Sequence, residues 1–129
     1  MALGKDTQVS MMMGFPARVD KIQKTDRLRG YENTYVTITD VKLECLDGVE
    51  IILEDGETLI ISNEQMVLTA TGWKKAFDIK QEDWLCGKAE DEYRIVQDVR
   101  EIKQEHMVSI RVLESGSIIA QGVTLGIYA

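Results

Sequence analysis

The chain has 129 residues, 44% hydrophobic and 29% charged, with a net charge of −7 and a pI near 4.7. That length holds one domain with a real core and is too short for two ordinary ones, and the mixture is that of a soluble globular protein rather than a disordered one. The acidic balance argues against a nucleic-acid-binding surface, because phosphate neutralisation needs Lys and Arg in excess.

One basic cluster exists, Lys21, Lys24, Arg27 and Arg29, but Asp20 and Asp26 interrupt it, and it reads as a solvated face. No apolar run approaches the roughly 18 residues that a membrane span requires. Met11–Met13 is too short, and too far from any basic segment, to be the apolar part of a signal peptide. Cys45 and Cys86 allow one disulfide, not a secreted framework, and each is expected as a small core residue. The single His106 rules out a His-rich metal site. A cytoplasmic monomer without metal or cofactor is expected.

In chain order, the first half reads as strands and turns. Thr7–Gly30 (TQVSMMMGFPARVDKIQKTDRLRG) holds a short apolar strand, a Gly14-Phe15 turn and an Asp20-Lys-Ile22…Asp26-Arg-Leu28 segment. Tyr35–Thr39 alternates as a half-buried strand does. Asp47-Gly48 is a turn signal, and Asp55-Gly56 sits between Ile51-Ile52-Leu53 and Leu59-Ile60-Ile61 as a hairpin turn.

The second half repeats this grammar. Val67 answers Val9, Gly72-Trp73 answers Gly14-Phe15, Asp78 answers Asp20, Asp83 answers Asp26, and Gly87 answers Gly30, at offsets of 57–58 residues. Gln97-Asp98-Val99 then matches Thr39-Asp40-Val41, and Val108–Ala120 matches Val49–Ile61. Val108, Ile110 and Val112 share one strand face, and Ser115-Gly116 reads as a hairpin turn. Helical periodicity is weak; its best candidate, Trp73–Asp78, gives one or two turns. Trp73, Phe77 and Trp84 are expected in the core. Each half is too small to stand alone, so the pattern predicts one all-β domain over residues 1–129, with pseudo-repeats at about 2–61 and 62–129 sharing a core through swapped hairpins.

Three stretches resemble the Hint family of inteins and hedgehog autoprocessing domains. Ala2–Val9 is similar to that family's opening Cys-Leu-x-x-x-Thr-x-Val. Leu59–Leu85 is similar to its middle block, Thr-x-x-His followed by Gly-Trp, Ala and Asp-Leu-x-x-Gly-Asp. Met107–Gly126 is similar to its closing strands, which end Gly-x-x-x-His-Asn. The resemblance covers nearly the whole chain and implies a horseshoe-shaped all-β fold. It also implies self-cleavage or splicing, with the flanking polypeptide segments (exteins or a host protein) as partners in cis. No homing endonuclease fits in this length.

The resemblance also implies that this chemistry is switched off here. Ala2 stands at the nucleophile position, and a methyl group attacks nothing. Ser62 stands at the Thr position and still donates. Gln65 stands at the His position, where an amide donates a hydrogen bond but shuttles no proton near neutral pH. Ser109 falls where many inteins carry a catalytic Asp. Gly126 and Ile127 fall at the terminal His-Asn in one register; in a second, Gly126–Ala129 would directly precede such a pair.

Two accounts of Ala2 stand open. One is a Cys-to-Ala replacement behind an added Met1. The other, which Gln65 favours, is a naturally degenerate domain kept as a structural or interaction module inside a larger protein; phage structural proteins carry such insertions. His106 reads as a surface or strand-edge residue. The Glu54-Asp55 and Glu82-Asp83 pairs suggest a glycosidase-like carboxylate couple, but they are expected in equivalent turns of the repeat, which local structure explains.

Overall fold

The computed structural model describes residues 1–129, and it is built almost wholly of strands. In chain order these are β1 (Ala2–Gly4), β2 (Gln8–Val9), β3 (Ala17–Arg18), β4 (Arg27–Arg29), β5 (Tyr35–Leu53) and β6 (Thr58–Ser62). There follow β7 (Met66–Thr69), β8 (Gly72–Lys75), β9 (Trp84–Cys86), β10 (Tyr93–Val112), β11 (Gly116–Ala120) and β12 (Val123–Ile127). Single 3₁₀ turns at Val19–Lys21, Tyr31–Asn33 and Ala76–Asp78 are the only helical pieces, so no helix is long and apolar enough to cross a membrane.

Two long strands organise the rest. β5 and β10 pair antiparallel from Ile38↔Val112 to Leu53↔Val96. β1 lies between β10 and β6, and β6 returns to β5 through the Asp55-Gly56 turn, so β10, β1, β6 and β5 close into a ring. The second group runs β3-β2-β11-β12-β7-β9, with β8 on β7. Strand alternation drives the packing: Val36, Ile38, Val49, Ile51 and Leu53 are buried along β5, and Val108, Ile110 and Val112 along β10. One contiguous apolar cluster contains Leu28, Ile51 and Leu59 from the first half with Val67, Leu85, Ile118 and Leu125 from the second. The halves therefore share a core.

The sequence repeat has a counterpart in hydrogen bonds. The Gln23 N–H donates to the Asp26 carboxylate and the Lys80 N–H to the Asp83 carboxylate, both at 2.9 Å. Such Asx turns satisfy backbone donors locally, and this is why both repeats carry Asp there. Thr25 (φ 75°) and Glu82 (φ 72°) both adopt the left-handed region. Their N–H groups donate to Ile38 O and Val96 O, each at 2.8 Å, and Ile38 and Val96 donate back to Asp26 O and Asp83 O, each at 2.9 Å.

Several local expectations are corrected. Asp47-Gly48 is no turn; both residues lie inside β5. Gly48 is required by close approach instead, since a Cβ there would sit 2.1 Å from the Ile61 carbonyl oxygen of β6. Ser115-Gly116 does not close a hairpin, because β11 leaves β10 and pairs with β2 and β12. The hairpin falls one strand later, through Gln121 (φ 49°) and Gly122 (φ 71°). Trp73–Lys75 is strand, and only Ala76–Asp78 turns.

Three aromatics expected in the core are on the surface: Trp73, Phe77 and Trp84 are 47%, 62% and 50% exposed. The core is filled instead by Val, Leu and Ile side chains at strand spacing. Trp84 packs on Tyr93 outside, with ring centroids 5.4 Å apart. Cys45 is exposed and Cys86 half-buried, and both are free thiols, so neither the core placement of Cys45 nor a disulfide holds. Glu54-Asp55 belongs to the β5–β6 turn and Glu82-Asp83 to the Asx turn before β9, so these pairs are not equivalent.

Candidate functional site

The Met1–Ala2 peptide lies at the start of β1, where Ala2 is Cα partner of Ser109 and Leu3 is flanked by Val108 and Ile61. Ala2 is buried, and the Ile110 N–H donates to the Met1 carbonyl oxygen at 3.0 Å. An N–H on that oxygen is a donor suited to the charge that would develop there if the carbonyl were attacked.

Ser62 closes β6, and Gln65 stands just before β7. The Gln65 N–H donates to Ser62 O at 3.1 Å, closing the turn between them. The Ala76–Asp78 turn braces it from behind: Ala76 N–H donates to Gln65 O at 2.7 Å and Phe77 N–H to Asn63 O at 3.1 Å. Gln65 is 4% exposed, and its Nε2 donates to Gly126 O at 2.7 Å and to Met66 O at 2.9 Å. Two carbonyls facing one end of the amide fix its orientation, since Oε1 there would meet only acceptors. Oε1 consequently points away and is buried without a partner.

Gly126 and Ile127 reach Gln65 because the Gln121-Gly122 turn brings β12 back beside β7, with Leu125 opposite Val67. A Cβ at Gly126 would lie 3.2 Å from Trp73 Cζ3 and 3.4 Å from Met66 Cβ, so Trp73 covers this point. Met1, Ser62, Gln65, Gly126 and Ile127 line one cleft of about 160 Å³, floored further by Met66 and Tyr128. The structure thus gathers Ser62, Gln65, Gly126 and Ile127, from two sequence-distant segments, around the start of the chain, with Ala2 and Ser109 paired beside them on β1 and β10.

One residue of this neighbourhood was missed by sequence reasoning. The Ser109 hydroxyl donates to the Glu44 carboxylate from the adjoining strand, and Lys42 Nζ lies 3.3 Å from the same carboxylate. The Ser109 hydrogen bond, then Lys42, hold the Glu44 carboxyl below its ordinary value. Burial lowers the Met1 amino group, with Glu44 acting in the opposite sense. A carboxylate therefore stands at Ser109 although position 109 is not acidic. Only the β5–β10 register reveals it, because the two residues are 65 apart in sequence.

His106 lies within β10 on the exposed side, across from Cys45 and away from this cleft. Chemically, the arrangement can grip a peptide bond and polarise its carbonyl. It offers no nucleophile at Ala2 and no proton shuttle at Gln65.

No protein-family model matches the chain, and no curated protein matches it. Solved structures do. A triple variant of the gp41-1 intein superposes with a TM-score of 0.83 at 23% identity, over 98% of both chains. A DnaB intein from Synechocystis gives 0.80 at 14% identity over 99% of both, and the MchDnaB-1 intein 0.76 at 11% over 97% of this chain and 98% of that one. At these identities the likeness establishes the fold alone, an all-β fold shared with these inteins.

Proposed function

We propose that this is an intein-like domain that grips the Met1–Ala2 peptide in the manner of a splice junction and leaves it uncleaved. The observation that carries the reading is the Met1 carbonyl, held by the Ile110 N–H beside the Ser62, Gln65 and Gly126 cleft, with only a methyl group at position 2. The partners are then the polypeptide segments flanking the domain. The loss of chemistry goes beyond Ala2. Gln65 uses its Nε2 to join β7 to β12, and Gly126 offers no side chain under Trp73. That second layer of replacement supports a domain retained for its fold, a structural module within a larger protein, phage proteins being one such setting.

The test fuses the chain between two folded partner proteins and compares Ala2→Cys with Ala2→Cys/Gln65→His under added thiol. In the cleaving reaction the sulfur introduced at position 2 bonds to the Met1 carbonyl carbon, the C–N bond breaks, and the amine takes the proton. Thiol then exchanges with the thioester and frees the upstream partner. Release by the double variant alone, read by intact-mass spectrometry, is the expected result. Release by unmodified Ala2 protein, or by neither variant in a folded fusion, would overturn the reading of this cleft as a splice-type junction disabled at positions 2 and 65.

A further inference from the structure

We propose that Cys45 and His106 form a thiol-modification site for small neutral or cationic aliphatic disulfides on the outer face of the β5–β10 ribbon. The two residues are direct register partners on antiparallel strands, where opposed Cβ atoms lie about 4.5–5.5 Å apart. Cys45 Sγ and His106 Nδ1 are 3.3 Å apart, and both side chains are exposed. This is the chain's only histidine, set against one of its two thiols.

The register that faces them is fixed nearby. A bulge between Ile102 and Glu105 puts Gln104 in the left-handed region at φ 49°, and the Gln104 N–H and Nε2 donate to Asp47 Oδ1 at 3.0 and 3.3 Å. Removing one residue from that bulge would turn His106 to the opposite face.

The other thiol is a built-in contrast. Cys86 is half-buried, and burial raises its pKa. A thiolate is the attacking species in exchange, so exposure together with an adjacent proton acceptor favours Cys45. In the step, His106 Nδ1 takes the thiol proton and Cys45 Sγ attacks one sulfur of the disulfide. A new S–S bond forms, the old one breaks, and the departing thiolate is protonated by solvent.

Charges around the pair select among disulfides. On the two strands they are Glu44, Asp47 and Glu105 against Lys42 and Lys103, and just after β1 Lys5 and Asp6 share a cleft with Glu105. The acidic excess disfavours anionic disulfides.

The test exposes the protein to cystamine and follows intact mass with peptide mapping, for the parent chain, Cys45→Ser, Cys86→Ser and His106→Gln. A single adduct on Cys45, forming about tenfold faster than on Cys86, is expected. His106→Gln should slow Cys45 severalfold near pH 7, with the denaturation midpoint unchanged. Labelling of Cys86 at an equal rate, or a His106→Gln protein with the parent rate, overturns the assignment. Neither result bears on the Met1–Ala2 site.

Discussion

The side-chain amide of Gln65 donates to the Gly126 carbonyl oxygen at 2.7 Å, a buried bond that fastens β7 to β12 across 61 residues of sequence. The same Nε2 reaches Met66 O, and Oε1 is left without a partner. At this position the amide joins two strands, which an imidazole retained for proton transfer would do less well. Gln65→Ala should therefore lower stability by about 1–3 kcal/mol, from two lost bonds. A urea denaturation midpoint measures it; a neutral outcome would show that the clamp carries no weight in the fold.

The twin Asx turns give a second test. Asp26 and Asp83 accept from Gln23 N–H and Lys80 N–H at the same 2.9 Å, and Asp83 also has Lys74 Nζ at 3.3 Å. Asp26→Ala and Asp83→Ala should each cost about 1 kcal/mol, with Asp83 slightly the larger, and the double variant should show their sum. Clearly unequal single losses would mean that the two turns differ in weight despite their matching bonds.

What the sequence discloses here is whatever is stored in local chemistry. Asp-Gly at 55–56 closes a hairpin, the Asp26 and Asp83 turns recur with their flanking aliphatic residues, and strand alternation marks Val108, Ile110 and Val112 as inward. Gly48 misleads because a glycine required by the Ile61 carbonyl has the same appearance as one required by a turn. The exposed indoles mislead because aromatic character says nothing about which face of a short strand is wet. Ala2, Ser62, Gln65, Gly126 and Ile127 were legible as candidates only through the family resemblance. Glu44 and the Cys45–His106 pair were not legible at all, since each depends on the register of two strands some 60 residues apart.

Gly48 and Gly56 should respond differently to the same substitution. A Cβ at Gly48 would meet backbone of β6 at 2.1 Å and Met107 Cε at 2.7 Å, whereas Gly56 (φ 91°) has open space around it. Gly48→Ala must push β6 away from β5 and should cost about 3 kcal/mol or more. Gly56→Ala strains only its own backbone and should cost about 1 kcal/mol. Thermal melts of both variants separate the two causes, and equal losses would contradict the close approach at Gly48.

The Ser109–Glu44 bond makes a pH-dependent contribution. Its hydroxyl, with Lys42, depresses the Glu44 carboxyl in the folded state. A depressed carboxyl stabilises the fold fully above its unfolded pKa, about 4.3, and this contribution disappears as pH falls through the lower folded value. The stability gap between the parent chain and Ser109→Ala should thus be widest near neutrality and shrink below about pH 4. Urea midpoints from pH 7 to pH 3 test it, and a gap that widens with acid would reverse the sign.

Glu44 also bears on any chemistry restored at the junction. Its carboxylate accepts from Ser109, the register partner of Ala2, and it acts on the Met1 amino group. In an Ala2→Cys/Gln65→His background the new thiol must lose a proton, a transfer that a nearby carboxylate assists as the base, and the departing amine takes its proton from the restored imidazole. General acid–base groups of this kind contribute roughly 10²–10⁴-fold when fully positioned; acting from a neighbouring strand, Glu44 should give about tenfold, below that range. Glu44→Gln keeps the shape and the hydrogen-bond acceptor, so it should slow thiol-induced release by about that factor and leave the denaturation midpoint within about 1 kcal/mol of its background. An unchanged release rate would restrict Glu44 to holding Ser109 in place, and the junction would then depend on Ile110, Ser62 and the restored imidazole alone.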